Sequence, residues 1–265
     1  MKFRFQRKYL SLPYILFFLF FVIVPIFLIV FYAFTDKNTG EFSFVNVVKF
    51  FNDPTNVNVL VISLTYAILN TILCLLIGYP VAFFLADRKI NKSAILVTLF
   101  IMPMWINFVI RTGATRDLLN WLNISGGTYP ELATLIGLVY NYLPFTILPL
   151  YTTMLKMDRS QIEASKDLGA NSFQTFTRVI IPLTMPGIVS AATMVFMPTI
   201  SSYVISDILS EYNVVLFGTY IDLYFNQNDW NFGSFMALIM LVLILLSVVI
   251  TRKFSSEDEG KESIW

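Results

Sequence analysis

The side chains that carry most enzyme chemistry are nearly missing from this sequence. It has no histidine among its 265 residues, and Cys74 is its only cysteine. That removes the commonest general base and metal ligand, and leaves no thiolate pair for a disulfide or a metal. No G-x-x-x-x-G-K-[ST] phosphate loop occurs either. Without a nucleophile–base constellation to assemble, the chain is not expected to be an enzyme, and no cofactor or metal is expected. What remains is charge. The 207–229 segment carries Asp207, Glu211, Asp222 and Asp229 without one Lys or Arg, a balance suited to attracting cations.

Those charges must be held by elements that water does not stabilise. The chain is 57% hydrophobic and 13% charged, with a mean hydropathy of +0.71. A soluble domain carries about 25% charged residues, so too few exist here to coat a water-facing surface. Six stretches hold no Asp, Glu, Lys or Arg: 9–35, 54–86, 93–110, 132–155, 179–206 and 230–251. A helix needs roughly 20 apolar residues to cross the hydrocarbon layer, and each stretch supplies about that. Lipid forces every backbone group to bond internally, so these spans are expected to be helices. The predicted fold class is all-α integral membrane, with six transmembrane helices over 9–251, a short N-terminus (1–8) and a tail (252–265). The 212–221 stretch is too short to span and reads as interfacial or re-entrant. The first run exceeds a signal-peptide core and ends without a cleavage site, so it reads as a retained anchor.

Charge placement orients the spans. The N-terminus, the 87–92 loop, the 156–178 loop and the C-terminal tail together hold fourteen of the eighteen Lys and Arg residues. The three other loops share Lys37, Lys49, Arg111 and Arg116. By the positive-inside rule both termini are expected in the cytoplasm, and the acidic 207–229 segment outside. Arg111, at the outer end of the third span, is expected to snorkel to headgroups or pair with an acid.

The cytoplasmic segment 156–182 holds the densest pattern. Residues 159–168 read as a short amphipathic helix, with Ile162 and Leu168 apolar among charged neighbours. Gly169 can take a positive φ and end that helix. Phe173, Phe176 and Val179 recur at helical spacing on a second short helix, and Pro182 opens the fifth span. On periodicity alone, an amphipathic loop lying on headgroups explains this as well as a docking knob does. The spacing of Glu163-Ala164-Ser165, three residues, Gly169, nine residues and Val179-Ile180-Ile181-Pro182 resembles the EAA loop of ABC importer permeases. That motif runs Glu-Ala-Ala, three residues, Gly, nine residues, Ile, any residue, Leu-Pro. Ser165 departs from its second Ala, and Val179 and Ile181 are isosteric departures.

The resemblance extends over most of residues 60–235. Gly78-Tyr79-Pro80, Pro103-Met104-Trp105-Ile106-Asn107, Ile110-Arg111, Leu143-Pro144-Phe145, Ser206-Asp207 and Asp229-Trp230 look like the polyamine subfamily. It implies the type I permease fold in a bacterial cell membrane. It also implies that Glu163, Ala164, Ser165, Gly169, Phe173, Phe176 and Pro182 couple to an ATPase. The implied partners are a second, related permease, two ATPase subunits, an external solute-binding protein and the bilayer, with no nucleic acid. A polycationic substrate further implies a path of carboxylates and aromatic faces. Asp207, with Tyr203 one turn before it at the end of the fifth span, and Trp105, Tyr140 and Tyr142 are the candidates. An exposed loop aspartate and an aromatic interfacial belt are the plainer alternatives for these residues. Three rivals stand against a polyamine importer: an ion-coupled transporter, an intramembrane enzyme and an ABC permease for another solute. The first two lack the buried ionisable relay or the catalytic group each requires.

Overall fold

The computed structural model describes residues 12–87 and 93–262. The basic N-terminus (Lys2, Arg4, Arg7, Lys8) and Arg88, Lys89 and Lys92 of the 87–92 loop lie outside the described residues. Among those described, the chain forms eleven helices and no strand beyond an isolated bridge, Thr35 with Phe42. They are α1 (Pro13–Ala33), α2 (Val45–Asn52), α3 (Pro54–Leu85), α4 (Ser93–Ile101), α5 (Phe108–Trp121), α6 (Pro130–Lys156), α7 (Arg159–Asp167), α8 (Ser172–Ile200), α9 (Val204–Leu209), α10 (Phe217–Asn226) and α11 (Trp230–Glu262). Five of them, α1, α3, α6, α8 and α11, are each long and apolar enough to cross a membrane.

The remaining apolar stretch is a bent pair of helices. The predicted span 93–110 is instead α4, a 3-10 turn at Met102–Trp105, and α5, bent by 99° at the break. The physical reason is local. Ile106 is extended, Asn107 leaves the helical region, and the Asn107 side chain accepts the amides of Val109 and Ile110 at 2.9 and 3.4 Å. A capped new helix therefore starts where a continuous one was expected. The fifth span also differs from 179–206. Its helix begins at Ser172 and ends at Ile200, and a turn separates it from α9. The second short helix of the 156–182 loop is thus the first turns of α8, which pass through a π turn at Phe176–Ile180. The 212–221 stretch becomes the lead into α10, a short helix. The last candidate span, Trp230–Thr251, keeps its predicted bounds, and its helix α11 continues to Glu262.

The chain divides into two compact units. The first joins the described residues up to Asn58 with Tyr220–Val242. Its interior is aromatic: Phe50 and Phe34 both present edges to Phe235, and Phe232 is fully buried. Two amides tie off the end of α1, whose last carbonyls lack helical partners. Asn46 Nδ2 donates to Ala33 and Thr35 oxygens, and Asn231 Nδ2 to Thr35 and Tyr32 oxygens.

The second unit runs from Val59 to Thr219 and resumes at Leu243. Its central helix is α6, the most buried of the spans, which packs chiefly on α8. Small residues permit the approach. A Cβ on Gly187 would lie 2.7 Å from Thr153 Oγ1. Polar bonds lock the same interior: Asn70 Nδ2 donates to Thr199 Oγ1 at 2.8 Å, and the Tyr79 and Thr184 hydroxyls share a bond of 2.9 Å. Outward faces remain apolar on every span, as lipid contact requires.

Candidate coupling loop and substrate path

The 156–182 segment is built by three consecutive capping devices. Asp158 starts α7 by accepting the Ser160 amide at 2.9 Å, and that bond holds the Asp158 carboxyl below its ordinary range. Gly169 ends α7 with φ +82°. There Ala170 N donates to Ser165 O at 3.0 Å and Gly169 N to Lys166 O at 2.9 Å, the paired bonds of a Schellman end. Asn171 and Gln174 then exchange side-chain and backbone bonds in a capping box that opens α8. Chain direction is reset within four residues, so α7 projects beside the base of α8.

Ser165, the departure from the second Ala of the motif, has a use. Its hydroxyl pairs with that of buried Thr175 at 3.1 Å and fastens α7 to α8. Glu163 and Ala164 stay exposed, and Glu163 borders a groove of about 490 Å³ with Phe83, Met154, Ile162 and Phe176. Phe176 is half-buried with its ring perpendicular to Tyr79, centroids 5.7 Å apart. Leu168 and Phe173 are 89% and 73% exposed, so Phe173 does not share an inward stripe with Phe176. The π turn between Phe173 and Val179 rotates the register and explains the difference. Pro182 is exposed in the helix body and does not open it.

The path candidates gather around α5, α6 and α9. Tyr203 precedes α9 and Asp207 lies on it, so neither ends the fifth span as expected. Tyr203 O still accepts the Asp207 amide at 2.9 Å, and Asp207 Oδ1 accepts the Thr219 hydroxyl at 2.8 Å. Tyr142 donates to Pro198 O at 3.2 Å and borders a cavity of about 300 Å³ with Arg111, Asn141, Phe145 and Ile205. The Arg111 guanidinium carbon lies over the Tyr140 ring, 5.6 Å from the ring centroid. Trp105 stands apart, 81% exposed at the break before α5.

Arg111 itself is the residue that sequence reasoning placed wrongly. It does not snorkel: it is only 8% exposed. Nε and Nη2 both donate to Asn141 Oδ1, at 2.9 and 2.6 Å, and Nη1 donates to Pro103 O at 2.9 Å. One guanidinium therefore ties both sides of the break to α6. The signal in the sequence was Asn141, a lone amide inside an apolar span.

The model of the family described as "Binding-protein-dependent transport system inner membrane component" matches residues 1–256. This chain belongs to that family. It is a multi-pass inner-membrane component of a transport system and not an enzyme, with the type I ABC importer permease fold. It is similar to the spermidine/putrescine transport system permease protein PotB of Haemophilus influenzae, 35% identical over 252 residues and 88% of each chain. PotB of Escherichia coli K12 is 36% identical over 213 residues, covering 75% of this permease and 78% of that one. A bacterial alginate ABC transporter, solved in complex with a pentasaccharide-bound periplasmic protein, shares the fold. Its TM-score is 0.71 at 16% identity, over 94% of this permease and 93% of that chain.

Proposed function

We propose that this permease forms half of a membrane path through which an ATP-driven importer takes up polyamines such as spermidine and putrescine. The observation that carries this reading is its similarity, over three quarters of the chain or more, to two spermidine/putrescine permeases. A related permease would complete the path, two ATPase subunits would dock on the 156–182 loop, and an external binding protein would deliver substrate. Glu163, Ala164, Ser165, Gly169, Phe173, Phe176 and Pro182 make up the docking loop. An inside-negative potential pulls each positive charge inward by about 2.3 kcal/mol per 100 mV, so the path must stay shut between deliveries. Cells lacking the gene should lose uptake of labelled spermidine and putrescine and keep that of sulfate. Loss of sulfate uptake alone would move the permease to another solute.

The proposed topology places both termini and residues 156–182 in the cytoplasm. Single cysteines at Asn38, Gln161 and Gln227, all exposed, read it out in a Cys74→Ala background. An impermeant thiol reagent should label positions 38 and 227 from outside and position 161 only after permeabilisation. The reverse pattern inverts the protein.

Asp207, backed by Tyr203, is proposed to meet the cationic substrate, with Tyr142, Tyr140 and Trp105 as further aromatic contacts. Asp207→Asn keeps an oxygen for the Thr219 hydroxyl and removes only the charge. A partly hydrated carboxylate–ammonium contact is worth on the order of 1–3 kcal/mol, so half-saturating spermidine should rise roughly tenfold to a hundredfold. Equal losses in Glu211→Gln would indicate a diffuse acidic field, and unchanged kinetics would remove Asp207 from the path.

A further inference from the structure

Lys49, on α2, extends its side chain into a corner whose chemistry suits an alkylammonium. Its Nζ lies 3.0 Å from Asp229 Oδ2. The same atom sits 4.0 Å from the centroid of the Phe232 ring and 5.2 Å from that of Tyr224. Those two rings meet edge to face, centroids 4.7 Å apart, and form two walls of the corner with the carboxylate as the third. All four residues belong to the first unit.

The corner is held without the lysine. Asp229 Oδ1 accepts the Phe232 amide at 3.4 Å and Asp229 O accepts the Gly233 amide at 2.9 Å, so the start of α11 positions the carboxylate. Phe232 is fully buried. The Asp229 side chain is 19% exposed against 45% for Lys49, so the socket is the sheltered partner and the lysine the looser one. Burial pushes the Tyr224 phenol up, and the Tyr220, Asp53 and Asp229 groups push it the same way, so Tyr224 stays a neutral ring face beside the carboxylate. Tying two helices together needs only the ion pair, and an exposed pair contributes little. The ring faces add a preference for the ammonium group itself. A lysine side chain is four methylenes ending in a primary ammonium, the same group that ends an aminobutyl arm of a polyamine.

We propose that Asp229, Phe232 and Tyr224 form a docking site for the terminal ammonium of a polyamine, and that Lys49 occupies it as an internal stand-in until substrate displaces it. The site rests on the polyamine function proposed above and deepens it. It places the first hold on substrate within the acidic segment that the proposed topology puts outside. Self-occupancy lowers apparent affinity by the fraction of time the socket stands open.

The experiment measures binding of radiolabelled n-butylammonium and, separately, spermidine to the assembled transporter in nanodiscs without its binding protein. Lys49→Met removes the competitor and keeps the bulk of its stem. Both ligands should then bind about tenfold more tightly, if lysine fills the socket roughly nine-tenths of the time. Lys49→Arg keeps an internal cation and should stay near wild type. Asp229→Asn, alone or combined with Lys49→Met, should bind both ligands more weakly than wild type. A merely structural ion pair predicts one direction for both partners, so weaker or unchanged binding in Lys49→Met overturns the proposal. Asn46→Ala loosens the same unit by cutting its bonds to the Ala33 and Thr35 carbonyls without touching the socket. A gain there equal to that of Lys49→Met also overturns it. If n-butylammonium follows the expected pattern while wild-type cells take up no polyamine, the socket stands and the polyamine reading fails. If neither ligand gains in Lys49→Met while wild-type uptake is normal, the socket fails and the polyamine reading stands.

Discussion

Gly169→Val should lower substrate uptake about tenfold to a hundredfold while the protein still inserts in the membrane. The residue sits at φ +82°, in the left-handed region that a β-branched side chain resists. A Cβ there would meet nothing within 4 Å, so crowding plays no part and the whole effect is backbone strain. Holding a non-glycine residue in such a region costs on the order of 1–3 kcal/mol. Released strain would break the paired bonds from Gly169 and Ala170 back to Lys166 and Ser165, and α7 would lose its fixed angle to α8. A population cost of that size depletes the docking geometry by roughly one to two orders of magnitude. Asparagine tolerates the left-handed region, so Gly169→Asn should keep most of the uptake. The measurement is uptake alongside co-purification of the ATPase subunit. Wild-type values for Gly169→Val would detach the loop from coupling altogether.

Asn141→Leu should strongly destabilise the second unit. It removes the oxygen that accepts two bonds from Arg111, leaving a guanidinium buried among Met104, Phe108 and Phe145 with its Pro103 bond and the Tyr140 ring as remaining partners. Stranding a buried charged donor costs about 3 kcal/mol or more. The double variant Arg111→Met/Asn141→Leu removes the charge with its partner and should recover most of that loss. Thermal unfolding of the purified permease in detergent would read both. If the double variant melts below Asn141→Leu, the pair is not coupled and the bend at Trp105–Phe108 is held by other contacts.

These two expectations differ in where their grounds lie. The position of Gly169, with three residues between it and Glu163-Ala164-Ser165, was legible from spacing, and its positive φ from the end of an amphipathic pattern. The Arg111–Asn141 pair was not. The two residues are thirty apart in the chain, and hydropathy treats each as one polar interruption in an apolar run. Arg111 reads as a snorkelling cation until the 99° bend turns it inward.

The amino-acid sequence by itself determined the solvent and the positions of five spans. Apolar length against bilayer thickness is a one-dimensional quantity, and no tertiary contact is needed to count it. It also determined where α7 ends, because the positive φ of Gly169 needs no distant contact. Only the tertiary structure decided that the third predicted span is a bent pair of helices and that α9 stands off the fifth span. It alone showed Phe173 facing outward past a π turn, and Lys49 resting on Asp229 between two rings. Each of these follows from hydrogen bonds or ring contacts that cap, rotate or join helices at single residues. Residue type along a helix face cannot encode them, because periodicity records which face is apolar and not what that face meets.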